Sequence, residues 1–164
     1  MNLYYLAFVI PGFFFFCALE YYLSIKKNKK VFGFEETISN LNVGIFERTC
    51  DMFTTIVFHL YFVWLYENFA LLDIQASIFT WVFLLLATDL LWYCYHRLGH
   101  KVNLLWSAHV VHHQSGDFNY TVSARITIFQ AFFRSLFWSF IPLLGFLPEM
   151  ITTILLIHGA YPFF

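Results

Sequence analysis

The chain has 164 residues, of which 60% are hydrophobic, 23% aromatic and only 12% charged, whereas an ordinary soluble domain carries about a quarter charged residues. That balance suits lipid and excludes a water-covered domain of this size, which exposes too much surface to be so apolar. A formal net charge of -1 with nine Lys and Arg leaves no basic face for tracking phosphates, so nucleic acid is excluded as a partner.

The first apolar run, Tyr4 to Ile25, has the roughly 20 residues needed to cross hydrocarbon. It has no basic residue ahead of it and no small-residue cleavage site, so it reads as a retained anchor. Lys26, Lys27, Lys29 and Lys30 follow, and the positive-inside rule places this loop in the cytoplasm. Met52 to Leu72 and Ile74 to Tyr95 are two further spans. Counting crossings returns the chain to the cytoplasm just after Tyr95, where Arg97, Lys101 and Arg125 add positive charge. Glu20 and Glu67, near span ends, are expected to snorkel, and the isolated His59 to pack with a hydrogen-bond partner. Cys17, Cys50 and Cys94 form no Cys-x-x-Cys pair and read as small buried hydrophobes.

Ile126 to Leu144, the breakers Gly145 and Pro148, and Met150 to Phe164 read as a helical hairpin. Arg134 is costly at membrane depth, so this arm either enters shallowly or pairs Arg134 with a carboxylate. The last arm is short of a span and stops at Tyr161-Pro162-Phe163-Phe164 without a polar flank, which reads as a fragment's end. The expected fold is all-α: a polytopic membrane helical bundle of three spans plus a helical hairpin, with histidine-bearing helices on the cytoplasmic side.

Five of the seven histidines lie in His96-Arg97-Leu98-Gly99-His100 and His109-Val110-Val111-His112-His113. On helices of 3.6 residues per turn, His96 stacks with His100, and His109 with His112 and His113, so two helices present five imidazoles to one space. Imidazole donors suit iron, copper, zinc or nickel, not magnesium or calcium. The Glu-x-x-His pairs of ferritin-like bundles and the His-Glu-x-x-His of zinc proteases are missing. Asp89 lies seven and eleven residues before His96 and His100, along one helical stripe. It is expected either to orient a ligand or to bind metal itself. His158, on the hairpin's returning arm, is a weaker candidate. Trp92, Tyr93, Tyr95 and Trp106 fit either a lipid entrance or an interfacial aromatic belt.

The run from Asp89 through His96 and His100, followed by Leu105-Trp106-Ser107-Ala108-His109-Val110-Val111-His112-His113, resembles the signature of the fatty acid hydroxylase and sterol desaturase superfamily. Asn119 and Arg125 also fall where that family often places them, as possible supports of the ligands. The run Phe118-Asn119-Tyr120-Thr121-Val122-Ser123-Ala124-Arg125 looks closest to the alkylglycerol monooxygenase-like branch. The resemblance implies two irons held by about eight histidines, dioxygen, an external electron donor, and hydroxylation or desaturation of a membrane lipid. It divides the chain into an N-terminal transmembrane region, 1–75, and a hydroxylase-like domain, 76–164. The family pattern continues to another histidine and a second His-x-x-His-His box, neither of which is matched here. The iron ligand set is thus incomplete, and the alternative is a truncated, catalytically inactive metal-binding membrane protein.

Overall fold

The computed structural model describes residues 6–160, so the expected span start at Tyr4 and the terminal Tyr161 to Phe164 lie outside the described residues. Helix α1 spans Leu6–Lys26, α2 Phe34–Phe69, α3 Ile78–Gly99, α4 Asn103–His109, α5 Ile128–Phe137, α6 Phe140–Leu144 and α7 Pro148–Ala160. Two 3-10 turns, Val110–Gln114 and Tyr120–Ala124, complete it. Among the described residues the sole β pairing is an isolated bridge between Ile74 and Phe146.

Local chemistry sets the helix ends. Asn28 takes a left-handed φ of 51°, which asparagine tolerates better than most residues. The Lys29 amide then bonds back to the Ser24 carbonyl at 2.9 Å, closing α1 as the basic run begins. Glu35 and Glu36 sit in the first turn of α2, where the helix dipole favours acids. Ser77 and Thr80 form a reciprocal capping box that starts α3.

Helix α2, 36 residues long, extends for roughly 54 Å at 1.5 Å per residue. The expected second span, Met52 to Leu72, is its C-terminal half, ending at Phe69. Among the described residues, two helical stretches are long and apolar enough to cross a membrane by length and composition, Val9–Lys26 and Ile78–Gly99. The expected span over Met52 to Leu72 does not pass this measure, because Thr54, Thr55, His59, Glu67 and Asn68 dilute the second half of α2.

The hairpin forms as expected. Gly145 turns between α6 and α7 at a φ of +105°, and a Cβ there would lie 2.0 Å from the Leu72 carbonyl oxygen, so only glycine fits. Backbone bonds from Leu71 to Leu143 (2.8 Å) and from Ile74 to Gly145 (3.0 Å) fasten this turn to the α2–α3 connection. The core beneath it joins Phe58, Phe62 and Leu65 of α2 with Leu84 and Tyr95 of α3 and Trp138, Ile141, Met150, Ile151 and Ile154 of the hairpin.

Outward faces are apolar at helical spacing: Phe79, Phe83, Leu86 and Leu90 on α3, and Phe53, Val57, Leu60 and Trp64 on α2, all exposed. A water-facing helix would carry polar residues there.

Three polar residues are settled by tertiary contacts. Glu20 does not snorkel: its Oε2 accepts the Tyr120 amide at 2.6 Å, because the Tyr120–Ala124 turn packs against α1. Arg134 takes the carboxylate option, with Asp51 at 3.9 Å. His59 bonds Thr152 Oγ1 through Nδ1 at 2.9 Å, as its isolation suggests.

Candidate metal centre

His96 lies in the last turn of α3 and His100 caps it, so one helical turn brings their Nε2 atoms to 3.2 Å. The chain then reverses within Lys101 and Val102, whose amides close on the Leu98 carbonyl, and the seven-residue α4 delivers His109 to the same space. The sequence suggests that α4 continues through His112 and His113. Instead the backbone tightens to a 3-10 turn at Val110, with three residues per turn. His112 thereby stacks on His109, with centroids 5.7 Å apart, and His113 meets His109 nitrogen to nitrogen at 3.1 Å.

The five rings form one cluster: His109 lies edge-on to His96 at 4.7 Å and to His100 at 4.8 Å, and His100 is 4.9 Å from His113. Ligand atoms of His96, His100 and His109 all fall within 4.8 Å of one another, so these three can hold a metal ion. Two imidazoles on one ion, each about 2.0–2.1 Å from it, stand roughly 3.0 to 3.4 Å apart. The His96–His100 and His109–His113 nitrogen separations, 3.2 and 3.1 Å, match that spacing. The donor set thus fits a transition metal.

Burial and mutual repulsion favour the neutral forms of His109, His112 and His113, as ligation requires. Burial chiefly pushes the His109 imidazole down from 6.5 to about 4, and neighbouring His96, His113 and His112 add repulsion against the opposing bond to Gln130. Burial and then the neighbouring His113 lower His112, and burial and then His100 lower His113.

Sequence reading missed Gln130. Its Oε1 accepts from His109 Nδ1 at 3.3 Å, which fixes the tautomer and turns Nε2 toward the cluster. Thr127 caps α5 at the Gln130 amide (3.2 Å) and donates to the Ala108 carbonyl (2.9 Å), while Tyr95 donates to the Gln130 carbonyl (3.0 Å). The lone signal was a buried glutamine in an apolar arm.

The other expected residues sit elsewhere. Asp89 approaches neither His96 nor His100, because seven residues of helix separate it from His96 by roughly 10 Å. Its Oδ1 meets His158 Nε2 at 2.8 Å instead. Asn119 accepts from the Thr121 amide and hydroxyl (3.0 and 2.6 Å) and donates to the Val31 carbonyl (2.6 Å). Arg125 donates to Asn40 Oδ1 (2.9 Å) and lies 3.6 Å from Glu36. The Asn119 and Arg125 side chains brace the loop after the cluster against α2 and the chain leaving α1, away from the ring nitrogens. Of the four aromatic residues, Tyr95 is core, Tyr93 is exposed and bonds Arg97, and Trp106 lies against His100 and His113.

A pocket of about 240 Å³ adjoins the cluster, lined by His96, His109, His112, Trp92, Gln130 and His158 among others. His158 is thus brought to the pocket by α7, its ring 5.4 Å from that of Trp92.

A family model described as fatty acid hydroxylase matches residues 81–164. The alkylglycerol monooxygenase of Homo sapiens is 28% identical over 86% of this chain and 32% of its own length. That of Xenopus tropicalis is 28% identical over 77% of this chain and 28% of its own, and that of Danio rerio 31% identical over 65% and 24%. The chain spans about a third or less of the length of these relatives. No solved structure gives a significant match. With five imidazoles gathered at the ends of apolar helices and its second half matched by the family model, the chain belongs to the fatty acid hydroxylase family, on the alkylglycerol monooxygenase-like branch.

Proposed function

We propose that this chain carries the histidine centre of a membrane-bound, iron-dependent lipid oxygenase, which hydroxylates or desaturates a carbon of a sterol, fatty acyl or alkylglycerol chain with dioxygen. The observation that carries the reading is the convergence of His96, His100, His109, His112 and His113 beside a partly apolar pocket. The names of the relatives support a monooxygenase acting on a lipid. Iron bound there would supply the one-electron and dioxygen chemistry that side chains lack.

The chain's own residues hold and position. The five histidines would ligate iron through neutral nitrogens, with His158, held by Asp89, as a further imidazole at the same pocket. Gln130 orients His109. Trp92, Ile126 and Leu155 give the pocket an apolar wall. His100 and His113 are exposed on the opposite side, where an external electron donor can approach. Apolar outward stripes on α2 and α3 support membrane integration. The lysine run and the histidine loop share one end of the bundle, tied by the Gly33 amide to Asp117 and by Asn119 to Val31. With the positive-inside rule, that shared end supports a cytoplasmic side for the histidines.

Metal analysis of the detergent-purified chain, beside a His109→Ala, His112→Ala, His113→Ala triple variant, tests the reading. Iron bound to the parent and lost from the folded variant is the expected result. A parent that binds no iron after anaerobic ferrous loading overturns it.

A further inference from the structure

Helix α2 is longer than a membrane crossing requires. Its roughly 54 Å exceed the roughly 40–45 Å of a whole bilayer, headgroups included, and its first half, before Met52, still shows apolar residues on its outer side. Phe34 is 81% exposed, and Ile38 and Ile45, also exposed, follow at helical spacing, so the three share one stripe. The opposite face buries Asn40, Gly44 and Glu47. A helix with one exposed apolar face and a lysine run at its start has the character of one lying against a lipid surface.

That run, Lys26, Lys27, Lys29 and Lys30, is exposed throughout and follows the exposed Tyr21 and Tyr22. The Tyr21 ring meets Phe32 edge-on at 5.5 Å, which holds the end of α1 to the α1–α2 connection. Phe118 joins the same corner from the loop after the histidines. At 92% it is the most exposed large hydrophobic side chain among the described residues. Its neighbours in sequence fix it there: the Asp117 carboxylate takes the Gly33 amide, and Asn119 donates to the Val31 carbonyl. The adjacent acids are largely engaged. Glu36 accepts from the Ser115 hydroxyl at 3.1 Å and lies 3.6 Å from Arg125, which leaves Glu35 exposed against four lysines. The corner is therefore basic, with bare aromatic rings at its edge.

We propose that this corner, the lysine run with Phe34, Ile38 and Phe118, is a docking surface for the anionic phospholipid headgroups of the leaflet on the histidine side. The apolar side chains enter the boundary between headgroups and acyl chains, and the lysine ammoniums reach the phosphates. Charge complementarity selects the occupant: clustered lysines beside a membrane helix attract lipids of net negative charge over zwitterionic ones. The contacts of Asp117 and Asn119 carry this anchorage into the loop that leaves His113, so it sets the height of the histidine centre at the membrane surface. The inference shares the membrane placement of the lipid-oxygenase reading and needs neither its metal nor its chemistry.

The test places the photocrosslinking side chain p-benzoylphenylalanine in place of Phe118, or in place of Phe79 on the outward face of α3, with the chain in nanodiscs of equal parts phosphatidylserine and phosphatidylcholine. Position 118 is expected to crosslink phosphatidylserine roughly tenfold over phosphatidylcholine, and position 79 to crosslink both alike. Changing the lysines together, Lys26→Gln, Lys27→Gln, Lys29→Gln and Lys30→Gln, brings the two lipids to parity at position 118 and leaves position 79 as it was. Crosslinks from position 118 to protein or to no lipid, while position 79 labels lipid, overturn the docking surface alone. Equal labelling of the two lipids with the lysines intact, or a preference that survives their replacement, overturns the role of charge. No lipid labelled from either position overturns the membrane placement and this surface with it. Iron content of the same samples reports the histidine centre separately.

Discussion

Gln130 of α5 and His109 of α4 are both buried, and their side chains meet at 3.3 Å across 21 residues of chain. That single contact selects which nitrogen of His109 faces the other four rings. Gln130→Leu removes the acceptor and keeps the volume. Partners of this kind typically change metal affinity by about 10- to 100-fold, so weaker iron or cobalt binding with unchanged helical circular dichroism is expected. Affinity equal to the parent's contradicts the role.

The low His109 value has a consequence for pH. An unfolded histidine titrates at about 6.5, whereas folded His109 titrates at about 4. Between those values the unfolded chain binds more protons, so stability rises with pH. The metal-free protein should therefore lose thermal stability as pH falls from about 6.5 toward 4. Melting in detergent across that range checks it, and a flat profile counts against a buried neutral His109.

Gly145→Ala should destabilise the fold strongly, because its Cβ would need a φ of +105° and would strike the Leu72 carbonyl. A strained φ alone costs on the order of 1–3 kcal/mol. The expected result is a lowered melting temperature, with the bonds of Leu71 and Ile74 to the turn losing amide-exchange protection first.

His59 separates a lone histidine from the clustered ones. His59→Phe removes the bond to Thr152, a loss of about 1 kcal/mol for a typical hydrogen bond, and leaves metal content unchanged. Metal lost together with His59 would show that the residue belongs to the centre after all.

Much of the histidine site was legible because its logic is local. The helical period alone pairs His96 with His100, and it does so in the structure. It also pairs His109 with His112 and His113, and the structure brings those rings together too, though through a 3-10 turn at Val110 and not a continued α-helix. Asp89 shows the limit most clearly: its register with His96 was read correctly, but its partner, His158, is 69 residues away.

What the sequence determined by itself is therefore the helical class, the apolar runs, the hairpin turn at Gly145 and the density of imidazoles, because chain length per helix, turn chemistry and residue spacing are properties of neighbouring residues. Tertiary structure alone decided that Gln130 orients His109, that Glu20 holds the Tyr120 amide across 100 residues, and that Arg134 finds Asp51. Each of those depends on which helices pack side by side, and a buried polar group takes whatever partner that packing brings within hydrogen-bond reach.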